Sequence, residues 1–189
     1  LPTVLPQQSS PPHPTSESAL NPTAWHIHLY RPAENGCAPA GTALVVWGVS
    51  LTTRKVDPNV LSSRFASSFE QAVAELQQLE RMYVELDGSF VWRGQWPQHS
   101  PQHLTEGQPP DTPDTPEPPW QLDGMLYDHA GHIQRVELKG DAPLFVWEQL
   151  LAVFGWPQQP LLAHLVDHQC WLDINQLLLA LNKPNRFPH

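Results

Sequence analysis

Cysteine is nearly absent from this chain. Cys37 and Cys170 are the only two in 189 residues, too few to staple a small secreted scaffold, and two buried free thiols are the expectation. Basic residues are also scarce, with 10 Lys and Arg against 19 Asp and Glu and a formal charge of -9. That balance repels phosphate backbones at long range and excludes a general nucleic-acid coat protein or a polybasic membrane-surface binder. Long apolar runs are missing too. The longest, residues 43–49, is about a third of the ~20 residues that a spanning helix needs. There is no basic leader followed by an apolar stretch, so no signal peptide is read and a cytoplasmic location is expected. Gly-x-Ser-x-Gly, P-loop and Gly-x-Gly-x-x-Gly motifs are all lacking, which leaves serine-hydrolase elbows and the common nucleotide cradles without support.

Proline and tryptophan are present in quantity, 22 and 8 residues. Residues 1–22 hold six prolines and one charge, Glu17, a composition that cannot offset its ordering entropy and reads as a disordered tail. Residues 95–119 hold eight prolines with Glu106, Asp111, Asp114 and Glu117, and read as an acidic, extended linker. These two segments carry five acidic and no basic residues, leaving -4 of the -9 for the rest. Residues 23–94 and 120–183 are expected to form one domain, because each half alone has too few elements to close a core. Residues 184–189 read as a C-terminal tail.

Within that domain Trp25, Ile27 and Leu29 alternate with His26, His28 and Tyr30, a half-buried strand with both histidines on one face. Residues 43–51, apolar almost without alternation, predict a central strand covered on both faces. Asp57-Pro58 resembles a helix start, and Leu61, Phe65, Phe69, Ala72, Leu76 and Leu79 continue an apolar stripe towards Arg81. Residues 82–93 read as a hairpin around Asp87-Gly88, pairing Val84 with Val91 and Tyr83 with Trp92. A second hairpin, residues 120–127 and 132–139, is closed through His129-Ala130-Gly131. A buried helix follows over 141–154, then short strands at 161–166 and 170–172. Asp173 and Gln176 mark the cap of a last helix. The fold class is α+β: a mostly antiparallel sheet of hairpins packed by about three helices. The tryptophans are expected to fill its core.

The second hairpin carries the chemistry. With a three-residue loop its pairs place Asp123 opposite Glu137, Gln121 opposite Lys139 and Leu122 opposite Leu138, so Asp123 and Glu137-Leu138-Lys139 converge on one face. An Asp strand followed by a Glu-x-Lys strand resembles the PD-(D/E)xK nuclease-like family. The order helix, hairpin, Asp strand, Glu-x-Lys strand, helix, strand is similar to that family's core. The resemblance implies that Asp123 and Glu137 hold Mg²⁺ and that Lys139 orients water or stabilises a pentacovalent phosphate, with Glu80 and Gln149 as accessory polar residues. Hard carboxylate oxygens do suit such an ion. No proline precedes Asp123, and Gly124 follows it. The plain alternative is a wet sheet face on which Arg135, Glu137 and Lys139 pair across strands.

Other candidates are fewer. His164-x3-His168-x-Cys170 has ligand-type residues, but on a strand and turn rather than a helix. His26 and His28 share a strand face with no third ligand implied by spacing. His99 and His103 fall in the linker, and Cys37 reads as a plain loop thiol. The leading expectation is therefore a soluble interaction or structural domain without cofactor or catalytic site. Its proline-rich segments would be available to a protein partner, with no membrane contact. The alternative is a Mg²⁺-dependent nuclease or an inactive relative, the one reading in which nucleic acid is a partner.

Overall fold

The computed structural model describes residues 24–33, 39–46, 48–57, 61, 64–97 and 119–182. The expected tails, most of the linker with His99 and His103, Cys37, Trp47 and Pro58 lie outside the described residues. Among the described residues, nine strands form one antiparallel sheet. In chain order they are β1 (Trp25–Tyr30), β2 (Ala40–Val46), β3 (Val49–Arg54), β4 (Met82–Val84), β5 (Ser89–Gly94), β6 (Trp120–His129), β7 (His132–Asp141), β8 (Leu162–Leu165) and β9 (Cys170–Asp173). Three helices accompany them: α1 (Phe69–Leu76), α2 (Leu144–Val153) and α3 (Ile174–Leu181). The strand order is β2-β3-β9-β8-β1-β7-β6-β5-β4, so the α+β expectation of an antiparallel sheet with three helices holds. β5 and β6, on either side of the proline-rich segment, are direct neighbours. Among the described residues no helix is long and apolar enough to cross a membrane.

Alternation decides which face of the sheet is dry. Trp25, Ile27 and Leu29 of β1 are buried in one cluster with Leu122, Leu126, Val136, Leu138, Ala163, Leu165 and Leu172 of the other strands. Ala72 and Leu76 of α1, Val146, Trp147, Leu150 and Leu151 of α2, and Ile174 and Leu177 of α3 belong to the same cluster. α2 is apolar nearly all round, as its burial requires. α3 starts where Asp173 accepts from the Gln176 backbone N–H at 2.9 Å, the N-cap expected there. The Gln176 side chain accepts instead from the Thr52 backbone N–H at 2.8 Å, which ties α3 to β3.

Four expectations are corrected. Residues 43–51 are not one central strand: Gly48 has φ 75°, the chain reverses there, and β2 pairs back on β3 as the outermost strand of the sheet. The helix expected from Asp57-Pro58 to Arg81 does not run unbroken: residues 64–68 are not helical, and α1 covers only Phe69–Leu76. Phe65 and Phe69 donate their backbone N–H groups to the carbonyls of Ile133 and Gly131 at 3.1 and 3.0 Å, which holds this stretch against the second hairpin. α1 then opens at Ser68, which accepts from Gln71 N–H while the Gln71 side chain accepts from Ser68 N–H, a capping box worth about 1 kcal/mol.

Both hairpin registers also differ from expectation. The first closes through three residues, Leu86-Asp87-Gly88, with Glu85 N–H donating to the Ser89 carbonyl at 2.8 Å and Asp87 accepting from Ser89 N–H at 2.9 Å. Tyr83 therefore faces Val91, and Val84 faces Phe90. The second closes through two residues, Ala130 at φ 52° and Gly131 at φ 75°, the left-handed pair of a type I′ turn. A bulge then opens between Tyr127 and Asp128. Together these place Asp123 opposite Lys139, Met125 opposite Glu137 and Gln121 opposite Asp141.

Candidate metal centre

The polar face of the sheet is built from the residues that alternate with the core. In β1 these are His26, His28 and Tyr30. The register of β1 against β7 sets His28 opposite Glu137 and His26 opposite Lys139, while β8 sets His164 opposite His28 and β9 sets Trp171 opposite His164. One transverse row thus runs Met125, Glu137, His28, His164, Trp171 across five strands. Trp171 is the exception to the expectation of core tryptophans: it is half-buried on this face, stacked on His164 with ring centroids 4.6 Å apart. Trp25, Trp92, Trp120 and Trp147 are buried in the core as expected.

Glu137 is the hub of the row. His26 Nε2 donates to its Oε1 at 3.1 Å, and His28 Nε2 lies 3.7 Å from Oε2. Lys139 Nζ contacts Oε1 at 2.6 Å, and Tyr127 OH donates to Oε2 at 2.8 Å. The side chains of His26, His28 and Glu137 are 26%, 17% and 16% exposed, against 54% for Lys139, so the three sit in the surface layer with the ammonium outside them. Among the described residues, His26, His28 and Glu137 are the group whose donor atoms all lie within 4.8 Å of one another. Arg135 lies over the Tyr127 ring, 3.9 Å from its centroid, and its buried Nε has no hydrogen-bond partner.

The electrostatics favour ligand forms. The hydrogen bond from Lys139, and then that from Tyr127, hold the Glu137 carboxyl down at about 2 against the opposing effect of burial. Burial, followed by the nearby Arg135 guanidinium, lowers His28 to about 4. Burial also lowers His164. At neutral pH the face therefore presents the ionised Glu137 carboxylate with neutral imidazoles at His28 and His164, the states in which these groups bind metals.

Linkage gives these shifts a sign in the metal-free protein. His28 is harder to protonate folded than unfolded, so its contribution is fully present above its ordinary value of 6.5 and is lost as pH falls towards about 4. His164 acts in the same direction. Glu137, held below 4.5, contributes above that value and loses its contribution as pH falls towards about 2. In EDTA, the melting temperature is expected to be level above neutrality and to fall by several degrees between pH 6.5 and 4.5. His28→Gln should flatten this first decline. A wild-type profile that is level through that interval contradicts the assignment.

The structure brings together Glu137 and Lys139 of the sequence candidates, as an ion pair. Asp123 shares their face but sits opposite Lys139, where both its oxygens accept from Gln121 Nε2 at 2.8 and 3.0 Å. Glu80 is 89% exposed beside Arg81, and Gln149 is exposed. His164 and Cys170 fall on opposite faces, because Cys170 pairs with Leu165 while His164 pairs with Trp171. Burial pushes the half-buried Cys170 thiol up, consistent with an inert packing residue. The pairing of His26 and His28 with Glu137 was invisible to spacing: 111 residues separate His26 from Glu137, and only the β1–β7 register joins them. No protein-family model, curated protein or solved structure matches the chain.

Proposed function

We propose that this protein is a binding domain whose polar sheet face holds a zinc-class divalent ion through His26, His28 and Glu137. The observation that supports the reading is the convergence of two imidazoles and one carboxylate within 4.8 Å. Two nitrogen donors and one oxygen donor suit zinc and its first-row neighbours, whereas Mg²⁺ prefers an all-oxygen shell. Three protein ligands leave coordination positions open on the solvent side. To ligate, the His26 Nε2 that now donates to Glu137 must present its lone pair, with the ring proton moved to Nδ1, and Lys139 must leave Oε1.

The test is a Zn²⁺ titration followed by a chelator-competition assay and by thermal melting. Saturable stabilisation is expected, and His26→Ala, His28→Ala and Glu137→Gln should each weaken affinity by about a hundredfold, the upper range for losing a well-placed group at a metal site. His164→Ala, outside the ligand set, should leave affinity within about threefold. Retention of full affinity in the three ligand variants overturns the reading. The same experiment weighs the nuclease alternative, for which Mg²⁺ or Mn²⁺ should stabilise saturably and Asp123→Ala should remove that gain.

A further inference from the structure

The surroundings of the three ligands are cationic, and this carries a second step that rests on the metal reading. Lys139 Nζ contacts the same Oε1 that lies 3.1 Å from His26 Nε2. A metal ion seated among His26, His28 and Glu137 therefore displaces an ammonium that stays tethered one strand-repeat away. On the other flank, two residues before Glu137 on the same face, Arg135 stacks on Tyr127 with a buried Nε that lacks a hydrogen-bond partner. Glu137 supplies one negative charge and Asp123, opposite Lys139, a second. Against these stand a divalent ion, Lys139 and Arg135, so the loaded site has an excess of positive charge. All three protein ligands come from β1 and β7, the sheet side, so the open coordination positions point away from the sheet, towards the half-exposed ammonium.

We infer that the metal's open position takes an oxyanion, a carboxylate or phosphate group, and that Lys139, released from Glu137, is the counter-charge that holds it. Lys139 then has two partners in exclusion: Glu137 without metal, the bound anion with it. Metal and anion binding are coupled, each tightening the other by the same factor. Lys139 also opposes metal binding when no anion is present, because it competes for Glu137 and repels the incoming ion.

Co²⁺ serves as the spectroscopic probe, titrated into the full chain in chloride and, at matched ionic strength, in about 10 mM acetate or about 10 mM inorganic phosphate. Acetate or phosphate is expected to tighten Co²⁺ binding about tenfold and to shift its visible absorption, within the usual range of such couplings. A response to acetate alone assigns a carboxylate ligand; a response to phosphate alone assigns a phosphate. Lys139→Met should bind Co²⁺ more tightly than wild type in chloride and lose the anion effect, while Lys139→Arg should restore it. The inference is overturned if wild type binds Co²⁺ with one affinity in all three media, or if Lys139→Met keeps the full anion effect. Failure of the wild type to bind Co²⁺ in any medium sinks the metal reading itself, a separate result.

Discussion

Replacing Trp147 with alanine is expected to destabilise the protein by about 3–5 kcal/mol, the usual cost of removing a large ring from a packed interior. Trp147 lies in the middle of α2 with no exposed surface, in the cluster that joins α1, α2 and α3 to the dry face of the sheet. Its Nε1 donates to the Ala142 carbonyl at 3.2 Å, so the alanine variant leaves a cavity and also a carbonyl without this donor. Urea unfolding followed by fluorescence and circular dichroism measures the loss. A change under about 1 kcal/mol would mean that α2 does not pack as described.

Gly140→Ala is expected to cost about 2–5 kcal/mol, from two independent sources. Gly140 sits inside β7 at φ 125°, backbone space essentially confined to glycine, where another residue is strained by about 1–2 kcal/mol. A Cβ there would also overlap the Gln121 carbonyl oxygen on the neighbouring strand, and crowding of this kind costs about 1–3 kcal/mol. The obstacle is backbone, which cannot rotate aside as a side chain can. β6 must then part from β7, the strand that carries Glu137 three residues upstream. The variant is thus expected to lower both the unfolding midpoint and the affinity for Zn²⁺. A midpoint equal to wild type would show that β7 tolerates a side chain at this position.

Helix and strand types were largely legible in the chain, and partners across the sheet were not. Strict alternation in β1 revealed both its dry face and the shared face of His26 and His28. Trp147 and the Asp173 cap were readable from local pattern. Register depends on the closing turn, and the two hairpins show how differently an error propagates. In the first, a three-residue closure in place of the expected two moves every pair by one, and Val84 joins the core face with Phe90. In the second, the tighter turn and the bulge together move the pairing by two. Since side chains alternate with period two, each residue keeps its face but changes its partner. Asp123 therefore remains beside Lys139 and Glu137 without meeting the carboxylate it was expected to face. Glu137 was itself a candidate, but its grouping with His26 and His28 escaped, because it rests on a pairing between distant parts of the chain that no local pattern encodes. The double-faced look of residues 43–51 misled for the opposite reason: an edge hairpin rich in valine has the composition of a central strand.

The position of β1, first in the chain yet flanked by β7 and β8, bears on the order of events during folding. Its neighbours, residues 136–140 and 162–165, lie more than a hundred positions downstream, so pairing β1 closes the largest loops in the sheet. Contacts of such separation slow folding, because chain entropy is lost before they repay it. On the ribosome, β1 waits without a sheet neighbour until β7, which ends at Asp141, has emerged. The face that gathers His26, His28 and Glu137 cannot exist before β7 has emerged and paired with β1, so the proposed metal capture would report that long-range pairing rather than any local element.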